Sequence, residues 1–328
     1  MTIAFTICSI NYLAQARTLG TSLKKTNPDV RYFVGLVDRL DDVQFEPGFL
    51  PDFSLIEVHT IGIGRFEEMC DRYNITELNT AVKPFYFTYF FSQFPEAQQV
   101  IYFDPDIIVY QPLTELINQL KKHEAVVTPH ICTPIEDTKT PNELHHLNTG
   151  VYNLGFCAFR RSIESLNFIR WWEEKLRYEC LISLCDGLFV DQNWMNFLPL
   201  FIENTCIEKN PGYNMAYWNL HERQASQIEN EWIINDLYPL LFFHYSGYDP
   251  KNPDDISKYQ DRFTFQMRPD LKPLFEIYHN QLLENGNSYY RTFPCRYIKP
   301  NKIYKYARVR KALTDPLKKL VKALESYT

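Results

Sequence analysis

The sequence predicts an α/β fold with an open, mostly parallel sheet and helices on both faces. Three observations predict it. Over the first 110 residues, short apolar runs alternate with segments of helical periodicity, the order that builds parallel sheets with crossover helices. Val100–Phe103 is apolar throughout, which suits a buried strand. The chain of 328 residues is 45% hydrophobic and 16% aromatic, enough to bury one large domain or two ordinary ones.

The elements follow in order. Ile3–Cys8 reads as the first strand. Leu13–Lys25 reads as a helix, with Leu13, Ala16, Leu19, Gly20 and Leu23 on one face. Arg31–Val37 and Leu55–His59 are the next strands. Thr80–Phe91 is a helix with Pro84 near its start, and Val100–Phe103 is the strand after it. Pro112–Leu116 opens another helix, and Glu124–Pro129 is a short strand. Residues 130–146 are polar, contain Pro134 and Pro141, and read as a mobile loop. Asn148–Phe159 is strand-rich. Ile163–Tyr178 is an amphipathic helix carrying Trp171 and Trp172, and a further helix starts between Asp191 and Phe201. Leu240–His244 is an apolar run that ends in a histidine. Tyr213, Tyr217 and Trp218 are placed either to stack on a bound ligand or to serve the fold.

The net charge of −6 hides an asymmetry. Residues 296–328 carry 10 Lys/Arg against 2 Asp/Glu, while the rest of the chain holds 24 basic and 38 acidic residues. Asp315-Pro316 reads as a helix start. Leu317, Leu320, Val321 and Leu324 follow at helical spacing, beside Lys318, Lys319 and Lys322. Basic residues interleaved with tyrosines suit the headgroup layer of an anionic membrane; a solvated helix packed on the body is the alternative. The acidic body argues against nucleic acid. No apolar run approaches a membrane span, and no basic segment precedes Ile3–Ile7 as in a secretory signal. The eight cysteines form no Cys-x-x-Cys pair. A cytoplasmic protein, peripheral on the inner face of the membrane, is therefore expected.

The chemistry concentrates at residues 99–110, Gln-Val-Ile-Tyr-Phe-Asp-Pro-Asp-Ile-Ile-Val-Tyr. Asp104 falls at the carboxyl end of a strand, where ligands bind in such sheets. Two carboxylates there call for a hard divalent cation that also holds phosphates.

Five ordered segments between residues 3 and 251 accompany this Asp-x-Asp unit: Ile7-Cys8-Ser9-Ile10-Asn11-Tyr12, Asn79-Thr80-Ala81-Val82-Lys83-Pro84, His146-Leu147-Asn148-Thr149-Gly150, Val190-Asp191-Gln192-Asn193 and His244-Tyr245-Ser246-Gly247-Tyr248-Asp249-Pro250-Lys251. Together they resemble the GT-A glycosyltransferases, most closely the retaining family-8 enzymes that use a nucleotide sugar and manganese. The resemblance implies a Rossmann-like GT-A sheet over residues 1–250, with the nucleotide sugar bound by about 1–110 and the acceptor by about 111–250. Residues 251–328 then form a C-terminal extension ending in the helical, basic tail 296–328.

The resemblance also implies roles. Asp104, Asp106 and His244 hold Mn2+ or Mg2+. Ser9, Asn11 and Tyr12 hold the base and ribose, although the family usually has Asp where Ser9 stands. Lys83 brings positive charge to the diphosphate or sugar, where the family more often has Arg. Asn148 and Gly150 meet the donor sugar. Asp191 bonds that sugar, and Gln192 lies where the acceptor arrives. Gly247 and Lys251 meet the leaving diphosphate. The implied reaction moves a hexose from a nucleotide-diphosphate sugar, UDP-linked, to a glycan or glycolipid with retention. Inversion remains open through Asp186 or Asp191 as base. A phosphatase is disfavoured, because its acid pair would follow the first strand. A glycan-binding protein on the same fold is the non-enzyme alternative. Ile61-Gly62-Ile63-Gly64 lacks the rest of a dinucleotide fingerprint.

Overall fold

The strands are β1 (Thr2–Cys8), β2 (Arg31–Leu36), β3 (Ser54–Glu57), β4 (Gln99–Phe103), β5 (Ile107–Val109), β6 (Ala125–Pro129), β7 (Tyr152–Arg160), β8 (Ile182–Ser183), β9 (Leu188–Phe189), β10 (Thr205–Ile207), β11 (Ala225–Ile228), β12 (Glu231–Ile234), β13 (Tyr238–Pro239) and β14 (Phe242–His244). The helices are α1 (Leu13–Thr26), α2 (Phe66–Arg72), α3 (Ile75–Ala81), α4 (Lys83–Gln93), α5 (Thr114–Lys122), α6 (Glu143–Thr149), α7 (Ile163–Glu179), α8 (Gln192–Met195), α9 (Leu198–Phe201), α10 (Lys272–Glu284) and α11 (Asn287–Tyr290). This computed structural model describes residues 1–297 except Asp42 and Asp52, together with Pro316.

Seven strands form the main sheet in the order β10-β6-β7-β4-β1-β2-β3. β3, β2, β1 and β4 run parallel, as do β6 and β10. β7 is antiparallel to both of its neighbours, β4 and β6. The mostly parallel α/β sheet expected from the sequence is therefore present. Alternate residues of each strand enter opposite cores. Ile3, Phe5 and Ile7 of β1 join Val100, Tyr102 and Phe159 against α3, α4 and α7. Ala4, Ile101, Phe103 and Phe156 face α1 and α5 through Leu19, Leu23, Leu116 and Leu120. Two-sided burial explains why the strands lack polar alternation.

Several expected boundaries change. The helix expected over Thr80–Phe91 is two helices, α3 ending at Ala81 and α4 starting at Lys83. Pro84 has no N–H to donate and suits the first turn of a helix, so it begins α4 rather than continuing α3. The strand expected to reach His59 ends at Glu57, where Thr60 Oγ1 bonds back to the Glu57 carbonyl at 2.7 Å and closes a helical turn. The loop expected over 130–146 ends at Asn142, whose side chain caps α6 by accepting from His145 N. It is anchored as well: Arg262 bonds Asp137 and the carbonyls of Lys139 and Pro141. Tyr213 packs in the core against Phe242 and is closed to a sugar, and Trp218 is equally buried.

Residues 1–297 form one compact unit. Within it, residues 251–297, which the sequence assigns to an extension, pack α10 and α11 against α1. The basic amphipathic tail lies outside the described residues, apart from Arg296, Tyr297 and Pro316. Among the described residues, no helix is long and apolar enough to cross a membrane. All eight cysteines are free.

Candidate metal centre and donor cleft

β4 ends at Phe103, and Asp104-Pro105-Asp106 turns the chain into β5. Asp104 N bonds the Gly155 carbonyl of β7 at 2.7 Å, which fixes the start of this turn. β5 then pairs antiparallel with β14 so that His244 lies opposite Ile107. Tyr245 N bonds the Asp106 carbonyl at 2.9 Å and extends that ladder to the acid pair. A non-local strand pairing thus delivers the imidazole to the carboxylates.

His244 Nε2 lies 3.0 Å from Asp106 Oδ1 and 3.6 Å from Asp104 Oδ2. One ligand atom from each of the three residues falls within 4.8 Å of the others, and no other three acidic, histidine or cysteine side chains converge so among the described residues. The histidine is buried, while Asp104 and Asp106 keep 33% and 25% of their side chains in solvent. The cluster is therefore open on one side.

Burial opposes a charge on His244, but the carboxylates of Asp106 and Asp104 outweigh it and hold the imidazole above its ordinary value. Burial also raises the Asp104 carboxyl above the usual carboxylate range, against the pull of Lys83 and His244. Two oxygen donors and one imidazole facing one point suit a divalent cation with further oxygen ligands to come. The donor set fits the Mn2+ or Mg2+ expected from the sequence.

Glycine makes room for this arrangement. A Cβ on Gly155 would collide with Cε1 and Nδ1 of the His244 ring. Trp218 closes the other side, edge-on to that ring at 5.2 Å.

The acid pair forms one end of a cleft of about 250 Å³ lined by Ser9, Asn11, Tyr12, Thr76, Asn79, Thr80 and Tyr102. Larger clefts, of about 590, 580 and 290 Å³, lie elsewhere and contain none of Asp104, Asp106 and His244. The chemistry, not the volume, selects the site.

The other residues expected at the site divide. Ser9, Asn11 and Tyr12 line the cleft, but Ser9 Oγ already bonds the Val37 carbonyl and receives Asn79 Nδ2. Lys83 is not a surface charge. It is 2% exposed, and its ammonium bonds Asp191 Oδ2 at 2.5 Å and the Leu154 carbonyl at 2.8 Å. Burial opposes its charge; Asp191 and Asp104 overcome that and keep Lys83 above its ordinary value. Gln192 is also engaged, donating to Thr149 O and accepting from Leu154 N and Asn153 Nδ2. Gly150 has φ +108°, and a Cβ there would come within 2.9 Å of Gln192 Cβ. Gly247, at φ +75°, gives way to the Tyr259 ring. Lys251 is exposed on the turn after it.

The strand expected to start at Asn148 is instead the end of α6, and Asn148 is exposed, its carbonyl taking Asn193 Nδ2. The amide that reaches inward belongs to Asn153 on β7. Its side chain accepts from Gly155 N at 3.1 Å and Asn214 at 3.0 Å, and donates towards Gln192 and His130. The chain carries two Asn-x-Gly tripeptides close together, Asn148-Thr149-Gly150 and Asn153-Leu154-Gly155. The apolar run from Phe156 to Phe159 would have marked the second as the strand copy.

Tyr102 was also missed. Its hydroxyl donates to Asp104 Oδ1 at 2.6 Å, and the Lys83 ammonium lies 4.2 Å from its ring centre. Burial, then the Asp104 charge, push this phenol well above its ordinary value, so it stays protonated. The signal was its place two residues before Asp104, on the same face of the strand.

No family model matches the chain. It is 25% identical over 284 residues to YfnF, an uncharacterized protein of Bacillus subtilis (strain 168), spanning 86% of this chain and 92% of that protein. A second protein of that organism, YfnD, is 20% identical over 170 residues, about half of each chain. Among solved structures, it is similar to the galactosyltransferase LgtC in complex with donor and acceptor sugar analogs, with a TM-score of 0.48 and 16% identity over 85% of this chain and 95% of that one. The glycosyltransferase GlyE of Streptococcus pneumoniae TIGR4 gives a TM-score of 0.46 and 15% identity, covering 90% of this chain and 66% of that one.

Proposed function

We propose that this protein is a metal-dependent GT-A glycosyltransferase. In this reading it moves a hexose from a nucleotide-diphosphate sugar, UDP-linked, to a glycan or glycolipid acceptor with retention. One observation carries the reading: His244, far along the chain from Asp104 and Asp106, converges with them at the carboxyl end of a parallel strand beside a cleft lined by Ser9, Asn11 and Tyr12. Such a strand end is where open α/β sheets bind ligands.

The chain's residues divide the work. Asp104, Asp106 and His244 hold Mn2+ or Mg2+. That ion, when bound, offsets the negative charge that grows on the departing diphosphate. Ser9, Asn11 and Tyr12 flank the nucleoside. Lys251 adds an exposed cation for the diphosphate, while Gly247 shapes the turn that precedes it. Lys83 and Asp191 act as one unit that stiffens the floor under the donor sugar, with Gly150 beside that sugar and Gln192 on the acceptor side. The salt bridge of Asp191 to Lys83 supports retention over inversion, because a carboxylate already engaged with a buried ammonium is a poor general base. Asp186, the other candidate, sits on an exposed turn bonded to Ser183.

Donor hydrolysis tests the reading. With a panel of nucleotide sugars and Mn2+, release of nucleoside diphosphate is expected, falling at least 100-fold in Asp106→Ala or in EDTA. Turnover unchanged by both would end the metal-dependent assignment. NMR of the product linkage tests the stereochemistry: a beta product from an alpha-linked donor removes retention. The basic tail is part of the same proposal as a contact to anionic membrane. Deleting residues 298–328 is expected to release the protein from phosphatidylserine vesicles and to leave donor hydrolysis intact. Equal vesicle binding by the shortened chain would refute the membrane role.

A further inference from the structure

Resting on the metal-binding reading above, we infer that Tyr102 is a positioning residue for the metal centre: it occupies Oδ1 of Asp104, so that Oδ2 is the oxygen presented to the cation, and its ring ties that carboxylate to the buried Lys83–Asp191 pair. The geometry is direct. Tyr102 OH donates to Asp104 Oδ1 at 2.6 Å, while Oδ2 is the oxygen that faces His244 Nε2 at 3.6 Å. One oxygen is held by the protein and the other points into the cluster. Asp104 is thus set to bind through a single oxygen. Hydrogen bonds of this kind orient ligand carboxylates and tune their hold on a metal.

The Tyr102 ring extends the arrangement inward. Lys83 Nζ lies 4.2 Å from the ring centre and bonds Asp191 Oδ2 at 2.5 Å and Leu154 O at 2.8 Å. A cation over the face of a phenol draws electron density from the ring and makes its hydroxyl a stronger donor. Asp191 holds that ammonium in place. The order Asp191, Lys83, Tyr102, Asp104 is a continuous set of contacts that runs from the α8 start, across β7, to the metal ligand.

The test is Mn2+ binding by the full chain without donor, read by the electron paramagnetic resonance signal of free Mn2+. Tyr102→Phe removes one hydroxyl and keeps the ring. Its Mn2+ dissociation constant is expected to rise about tenfold or more, with the melting temperature in EDTA little changed. The double variant Lys83→Met/Asp191→Asn removes the buried pair without altering net charge. It is expected to weaken Mn2+ binding several-fold in the native background and to add little in the Tyr102→Phe background, the signature of coupled residues. An affinity for Mn2+ within twofold of the native value in Tyr102→Phe would overturn the inference while leaving the metal site standing. If Tyr102→Phe does not fold, an unchanged affinity in the double variant overturns it instead. Failure of the native chain to bind Mn2+ overturns both this inference and the reading on which it rests.

Discussion

At the scale of single residues, the site depends on space as much as on ligands. Gly155 is the clearest case, because any side chain there enters the volume of the His244 imidazole. Gly155→Ala is expected to weaken Mn2+ binding at least tenfold and to cost about 1–3 kcal/mol of stability as β7 and β14 part. Metal titration and chemical denaturation measure the two effects. Asn148 and Asn153 give a contrast of the same kind. Asn148→Ala, on an exposed helical turn, is expected to leave donor hydrolysis within twofold. Asn153→Ala strips partners from Gly155 N, Asn214 and Gln192 and is expected to cost about 1–3 kcal/mol, with activity lost. Asp104 and Asp106 were legible in the sequence because they stand together at the end of an apolar run. The inward-facing Asn153 was hidden by a nearby tripeptide of the same form. The true state of Lys83 was hidden too, because its counter-ion Asp191 lies 108 positions away.

At the scale of elements, the parallel strands and their helices were legible because each is a local pattern. The α3–α4 break was legible only in part. Pro84 marks the start of α4, but α3 begins at a capping box, Asn74 with Glu77, that apolar periodicity does not reveal. Asn74 accepts from Thr76 N and Glu77 N at 2.9 and 3.0 Å, and Glu77 returns a bond to Asn74 N at 2.9 Å. Asn74→Ala is expected to cost about 1 kcal/mol in urea denaturation. A larger loss of donor affinity than of stability would show that α3, which walls the cleft through Thr76, Asn79 and Thr80, has shifted. The β5–β14 ladder could not be read at all. Both strands are three residues long, and no local periodicity tells residues 107–109 to pair with 242–244.

At the scale of the whole molecule, the wall behind the metal centre is polar and buried. His130 and His146 stack with ring centres 4.8 Å apart, and Trp218 meets His130 edge-on. Burial lowers His146 to about 4 and holds His130 well below its ordinary value. Both are therefore neutral in the folded chain, while the unfolded chain takes up protons near pH 6.5. The contribution of this pair to stability is expected to be flat above pH 6.5 and to fall as pH drops from there through about 4, by roughly 3 kcal/mol for His146 alone. Urea melts across that range check it, and His146→Gln is expected to flatten the slope.

The pairing of Lys83 with Asp191 has one more outcome. It cancels a positive charge buried behind Tyr102, so that ammonium adds little to the potential at the mouth, where the two aspartates stand. A polyphosphate approaching that mouth is repelled until a cation has seated there. On the proposed function, arrival is then expected to be sequential, ion before nucleotide. Calorimetry with UDP should accordingly record no heat in chelator, and a saturable isotherm once manganese is present.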